Sequence, residues 1–482
     1  MNYRMIFSII GKVVCAEAAF LLPPFLIAAF SGERAAAIAF AATIAIALAI
    51  SLPFVLKKPK NKDIFIRDGF ITVGLMWIVV SVIGALPYAF SGVMPSFVDC
   101  LFESVSGFST TGGSIMADIE SLPGSILYWR SFTNWLGGMG VLVFLLVLSP
   151  LVAKDSGENM YLLRAESPGV RIAKLVPRMK NSATILYLIY IALTLILFIF
   201  LLFDGLTVFD ALTLSFSTAG TGGFSIYNVS VAAYHPYVRS IVALFMFLFS
   251  VNFNVYFLIL TGQAKRALKS EELRVFFGVV VISSVAIMLN IRKLYGSFGE
   301  IFGAAFFQVT SIISTTGFTT ENFDAWPQFS KTLLALLMFL GGCGGSTAGG
   351  LKVSRLLIQV KAAYRGVYKA LHPNTVRLVH LDGELLDEDT VNGVQTYMMV
   401  YFLVLGLGTL LVSLDQYSLQ TNFTAVLSCL SNVGPGMGSV GPTMTYAGYS
   451  ALSKLILCVE MLVGRLEIYP ILVLFFPKLW KR

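Results

Sequence analysis

The residues whose types and spacing could do chemistry are four short triplets that each end on glycine: Thr110-Thr111-Gly112, Thr221-Gly222-Gly223, Thr315-Thr316-Gly317 and Asn432-Val433-Gly434. None supplies an acid, a base or a nucleophile. What they supply is backbone oxygen. A cation stripped of water needs oxygen ligands, and rings of carbonyls provide them without net charge. Glycine lets successive carbonyls turn toward one axis, because it tolerates dihedrals that a Cβ forbids. The Thr and Ser hydroxyls around each triplet can satisfy the backbone groups behind it. One such triplet carries no information, whereas four in matching surroundings suggest four walls of one hole. In the second, Thr218-Ala219-Gly220 competes with Thr221-Gly222-Gly223 for the register. The latter is preferred because Gly223-Phe224-Ser225 then aligns with Gly317-Phe318-Thr319.

The surroundings do match. Each triplet follows a short apolar stretch of helical character and lies between two long apolar runs. The short stretches, at 96–108, 207–217, 301–313 and 419–431, are too short to cross a bilayer, which takes about 20 apolar residues. The flanking runs read as spans at 68–90 and 126–153, 183–203 and 237–262, 275–291 and 330–360, and 394–414 and 450–476. Each unit is span, half-helix, glycine turn, span, so all four enter and leave on the same side. Parallel units can surround one axis, whereas many secondary transporters use inverted repeats. Two further spans, 8–30 and 35–56, precede the first unit and have no glycine turn. The expected divisions are 1–63, 64–181, 182–270, 271–392 and 393–482. The first apolar run is long enough to be retained as a span rather than cleaved as a signal.

Composition agrees with a membrane protein. The chain of 482 residues is 57% hydrophobic and 12% charged, about half the charged share of a soluble domain. Most basic residues fall in the segments 57–67, 154–180, 265–274, 352–377 and 478–482, which the positive-inside rule places in the cytoplasm. Asp99, Glu103, Asp118, Glu120, Asp204, Asp210, Glu300, Glu321 and Asp324 are expected on an acidic external face. Nucleic-acid binding is excluded, because the +8 net charge sits in no basic soluble domain. Five scattered cysteines are expected as thiols. With three scattered histidines they make no metal-site spacing. A basic residue opens each second span (Arg130, Arg239, Lys331, Lys454), expected as an interfacial anchor.

Two features point to a gate. Between 341 and 350 there are six glycines: Gly341, Gly342, Gly344, Gly345, Gly349 and Gly350, with Ser346 and Thr347 among them. Each costs a helix about 1 kcal/mol relative to alanine, so this span should break inside the membrane. The break can form a movable lid, or the glycines can serve close helix packing. Arg465 lies within the last span, where an arginine needs a partner or water. It can face the pore and raise the barrier for a cation, or pair with Glu460 or Glu467. Asn252 and Asn254 can hydrate a cavity or bond between helices.

The chain resembles the Trk/Ktr/HKT superfamily of potassium transporters, most closely its TrkH type. The resemblance rests on Glu103-Ser104-Val105-Ser106-Gly107-Phe108-Ser109-Thr110-Thr111-Gly112, Trp135-Leu136-Gly137-Gly138-Met139-Gly140, Gly222 to Ser225, Ser314 to Thr319, Gly341 to Lys352, Asn432 to Gly436, and Gly464-Arg465-Leu466-Glu467. It spans essentially the whole chain. It implies an all-α polytopic fold of four M1–P-loop–M2 repeats with pseudo-fourfold symmetry around one pore, plus two extra N-terminal helices, about ten spans in all. It implies K⁺ as transported ion, coordinated by carbonyls of the four triplets, and it places a gating loop at 341–350 near Arg465. It also implies a homodimer with a cytoplasmic nucleotide-binding RCK partner of the TrkA type, since this chain has no nucleotide motif and no organic cofactor is expected. Glycine in all four triplets resembles the K⁺-selective members. The competing reading is an H⁺- or Na⁺-coupled secondary transporter using the broken span as its substrate site. No set of residues supports an enzyme.

Overall fold

The computed structural model describes residues 2–57, 66–140 and 179–476. The expected continuation of the first unit's second span to 153, and the basic loop 154–178, lie outside these residues.

Helices Tyr3–Phe20 and Leu22–Phe30 form one apolar segment of 28 residues, long enough to cross. Pro23 and Pro24 open the second piece, where their missing N–H groups cost nothing. With Arg34–Leu56 they pack beside the first repeat rather than lining the triplets. The first helices of the four repeats are Ile66–Ser91, Met179–Phe203, Glu271–Ile291 and Glu388–Val412. The last begins ahead of the expected boundary at 393.

The half-helices are Phe97–Phe108, Val208–Ala219, Phe298–Ile313 and Leu419–Ser431, called pore helices one to four. Each is preceded by Ser or Thr. The side chains of Thr207, Ser297 and Ser418 accept from the backbone N–H three residues on, at 3.1–3.2 Å. Asp99, Asp210 and Glu300 lie in the first turns of three of them, opposite the positive end of the helix dipole. These caps fix where pore helices two, three and four start, whereas Ser96 makes no such side-chain bond at the first. The third starts at Phe298, earlier than its apolar run suggests.

The second helices depart from expectation. They are Gly124–Gly138, Pro236–Ser250, Gln328–Leu340 and Ala451–Arg465, of 15, 15, 13 and 15 residues. At 1.5 Å per residue each covers about 20 Å, short of the ~30 Å hydrocarbon core. The expected break in repeat three is present, and breaks occur in repeats two and four as well. In repeat two the chain turns by 89° into Phe253–Leu260. In repeat four Glu467 and Ile468 take positive φ (55° and 75°) before Tyr469–Leu474. Among the described residues, six helices, or seven with the bent pair, are long and apolar enough to cross. The ten expected spans include second spans that cross in pieces. Asn252 caps one of these pieces, its side-chain oxygen accepting from the N–H of Asn254 at 2.9 Å. That local bond occupies the side chain that was a candidate for hydrating a cavity.

Candidate ion-conduction site

Each pore helix ends the same way. The first triplet residue adopts left-handed backbone: φ is 57° at Thr110, 52° at Thr221, 56° at Thr315 and 56° at Asn432. Its N–H donates to the carbonyl three residues back, at 3.0–3.2 Å. The N–H of the middle residue donates five residues back: Thr111 to Ser106, Gly222 to Ser217, Thr316 to Ser311 and Val433 to Ser428, at 2.8–3.0 Å. This is the Schellman helix stop, normally completed by glycine. Here three of the four left-handed residues are threonine, for which positive φ is a true outlier. Such backbone costs about 1–3 kcal/mol per residue and persists where the surroundings over-determine it, commonly at functional sites.

The third triplet residue is always a glycine with positive φ: 75° at Gly112, 73° at Gly223, 77° at Gly317 and 101° at Gly434. These values fix the register of repeat two, because Thr221 and Gly223 match their counterparts, whereas Gly220 caps its helix at φ −68°. A Cβ on Gly112 would overlap the carbonyl oxygen of Gly222. One on Gly223 would overlap that of Thr316, and one on Gly317 that of Val433. One on Gly434 would lie 2.6 Å from the carbonyl oxygen of Thr111. Each third glycine thus abuts the middle carbonyl of the next repeat, and the sequence of contacts, one to two to three to four to one, closes a ring. The pore helices run into this ring with their C-terminal ends, which carry the negative end of the helix dipole. Carbonyl oxygens and helix ends together favour a cation.

Hydroxyls back the ring. Ser109 and Thr111 share a hydrogen bond of 2.7 Å, as do Ser314 and Thr316. Asn432 Nδ2 donates to Thr111 Oγ1 at 2.9 Å, joining repeats four and one. Ser106 and Ser311 donate to the carbonyls of Gly113 and Phe318 at 2.6 Å. Composition alone did not single out these serines. Their common place, four residues before each triplet, was the available signal.

A second support runs through charge. Glu103 and Arg130, both essentially unexposed, form a 2.8 Å ion pair. Glu103 also accepts from the N–H of Ile115 at 3.1 Å, and Arg130 donates to the carbonyl of Ser225 at 3.1 Å. The pair therefore braces the segments that follow triplets one and two. This corrects two expectations: Glu103 is not part of an acidic external face, and Arg130 is not an interfacial anchor. Lys454 holds Asp99 of pore helix one at 2.7 Å, Lys331 lies 3.7 Å from Asp324, and Arg239 donates to the carbonyls of Ala232 and Tyr234.

The glycine-rich segment 341–350 folds back on itself. Gly341, Gly345 and Gly350 have positive φ (66°, 73° and 73°). The N–H of Leu351 donates to Phe339 and that of Val353 to Gly342, pinning the loop ends. A Cβ on Gly342 would press on Ala348 and Ser250, and one on Gly344 would lie 3.1 Å from Ser354. The N–H of Gly349 donates to Thr315 Oγ1 at 2.6 Å, and a Cβ on Gly349 would lie 3.0 Å from that of Asn432. The loop therefore touches triplets three and four. On its other side it meets the break in repeat two: Cys343 N–H to Ser250 at 2.9 Å, Phe253 N–H to Gly345 at 3.0 Å, and Thr347 Oγ1 to Phe249 at 3.1 Å. Ser346 closes a local turn onto Cys343. Glu272, which no sequence motif marks, accepts from the N–H groups of Gly344 and Ser354 at 2.7 and 3.1 Å. Its place in the first turn of a helix entering from a basic segment was the only hint.

Arg465 donates to Thr347 in this loop at 2.8 Å, and to the carbonyls of Gly137 and Gly138 at the end of the repeat-one helix. It thus links repeats one, three and four. Glu467 pairs with Arg355, and Glu460 lies against Gly408.

Four helical repeats, a closed ring of strained carbonyl-bearing triplets and a folded glycine loop against it define a polytopic membrane protein of the cation-transport class. A family profile for TrkH, a cation transport protein, matches residues 35–482. The chain belongs to the TrkH family. It is 35% identical over 491 residues to the Trk system potassium uptake protein TrkH of Salmonella typhimurium, and 33% identical over 493 residues to that of Vibrio parahaemolyticus, each alignment covering all of both chains. The crystal structure of the potassium transporter TrkH from Vibrio parahaemolyticus superposes with a TM-score of 0.89 at 31% identity, over the full length of both.

Proposed function

We propose that this chain is the membrane subunit of a Trk-type potassium uptake system, and that K⁺ passes through the ring formed by the four triplets. The observation that carries the reading is the cyclic contact of Gly112, Gly223, Gly317 and Gly434 with the middle carbonyls of the following repeats. Such a ring offers a dehydrated cation fixed oxygens from four sides, and the Schellman caps and hydroxyls behind it resist its collapse. The loop 341–350 and Arg465 act as the gate. The loop abuts the ring, and the guanidinium places a positive charge beside it, which opposes a cation while it stays.

Consistent with the same reading, the basic segments face the cytoplasm of a bacterial inner membrane. The chain works as a homodimer, and an RCK-type nucleotide-binding subunit of the TrkA type engages the cytoplasmic side. The test is ion flux in proteoliposomes containing the purified protein, with and without such a subunit. K⁺ and Rb⁺ should pass far better than Na⁺ and Li⁺, and Gly317→Ser should reduce the difference by about tenfold or more. Equal Na⁺ flux in the unmutated protein would sink the reading.

A further inference from the structure

We propose that Tyr446, which lies outside every triplet, is a specificity-determining residue that holds the fourth wall of the ring. The inference rests on the ring being the ion path. Its basis is an asymmetry in the ring. At three junctions, the third glycine is jammed directly against the neighbouring middle carbonyl, so backbone packing alone fixes the spacing. At the junction of repeats four and one the clearance is wider, and Gly434 departs from the other three glycines, with φ 101° against 73–77°. Proline follows it, so the chain leaves this triplet without the backbone donor that Gly113, Phe224 and Phe318 keep.

Side chains fix this seam. The Tyr446 hydroxyl donates to the Gly434 carbonyl at 2.8 Å. The backbone N–H of the same residue donates to the carbonyl of Ser114, just after triplet one, at 2.9 Å. Its ring is buried, packs on Phe102 of pore helix one at 5.4 Å between centroids, and lies beside Gly113, where an added Cβ would come within 3.0 Å of it. One residue therefore ties the last triplet of the ring to the segment that follows the first. Its hydroxyl holds the carbonyl of Gly434, the third glycine that sits less tightly against its neighbouring repeat than the other three. A carbonyl so fixed cannot close around a smaller ion, and a ring that keeps its size discriminates against Na⁺.

The experiment compares Rb⁺ and Na⁺ flux in proteoliposomes for the unmutated chain, Tyr446→Phe, Phe102→Leu and Gly317→Ser. Tyr446→Phe removes only the hydroxyl. It is expected to lower the Rb⁺/Na⁺ flux ratio about fivefold, the weight of one hydrogen bond, through a rise in Na⁺ flux. Phe102→Leu loosens the same packing and keeps the hydroxyl, and it is expected to leave the ratio within twofold. An unchanged ratio in Tyr446→Phe, with Gly317→Ser lowering it, overturns the role of Tyr446 and leaves the ring reading standing. An unchanged ratio in both overturns the two together. An equal fall in Phe102→Leu shows general loosening and also overturns the proposal. Should Tyr446→Phe not reconstitute, thermal unfolding of the detergent-solubilised protein gives the same comparison. K⁺ should raise the midpoint over Na⁺ in the unmutated chain and in Phe102→Leu, and should lose that advantage in Tyr446→Phe. An advantage retained there counts against the proposal.

Discussion

The backbone N–H of Gly349 lies 2.6 Å from the hydroxyl oxygen of Thr315, so the glycine loop and the third triplet share a hydrogen bond. Both ends are buried. The loop and the ring are thus mechanically joined, and displacing the loop leaves an amide without its acceptor. Thr315→Val keeps the side-chain shape and removes the oxygen. Loss of a bond to a buried donor costs about 1–3 kcal/mol, so basal Rb⁺ flux should rise by about tenfold. Flux equal to that of the unmutated protein would separate the loop from gating.

Arg465 makes its bonds through the fork of one guanidinium, reaching Thr347 with one nitrogen and Gly137 and Gly138 with the other. Lysine cannot reproduce that geometry. Arg465→Ala should raise basal flux strongly, and Arg465→Lys should fall between it and the unmutated chain. Both are measured on the purified chain alone. Identical flux in all three would leave Arg465 a structural clasp.

Removing one partner of the Glu103–Arg130 pair strands a buried charge. Arg130→Met should cost about 3–5 kcal/mol and appear as loss of folded protein from membranes. The double replacement Glu103→Leu with Arg130→Met should recover a large part of that loss, because no charge is left unpaired. Thermal unfolding of the detergent-solubilised proteins measures both. Equal damage in single and double variants would mean that the bonds to Ile115 and Ser225, not the charge, carry the brace.

Glu272 receives two backbone N–H groups, one from Gly344 within the glycine loop and one from Ser354 in the helix that follows it. Glu272→Ala leaves both without that acceptor and should free the loop. Hydrogen exchange at the amides of Gly344 and Ser354 should then rise by about tenfold or more, at roughly 1–3 kcal/mol per unmet donor. Protection unchanged at both positions would exclude Glu272 as a staple.

Much of this protein was legible in the order of its residues. Apolar length set the crossings, glycine set the turns, and the repetition of span, half-helix and turn announced four equivalent units. The six glycines of 341–350 foretold a break, because helix propensity is a local property. The breaks after Ser250 and Arg465 were not foretold. No glycine cluster marks them, Pro470 beyond Arg465 is a sign of the second alone, and the bends follow from contact with the loop of repeat three and the end of the repeat-one helix. Arg130 and Glu103 looked like a membrane anchor and a surface acid, because sequence reports the charge of a residue and not its depth.

What the sequence alone determined is the set of parts: four helix stops, each with a serine four residues ahead of a triplet that ends on glycine. What only the tertiary structure decided is that the stops meet. The close approach of Gly112 to Gly222, and so on around to Gly434 and Thr111, joins residues far apart in the chain. Local preference can prepare a carbonyl. Only packing among four repeats can bring four of them to one axis, and only there does the strain at Thr110, Thr221 and Thr315 have contacts to offset it.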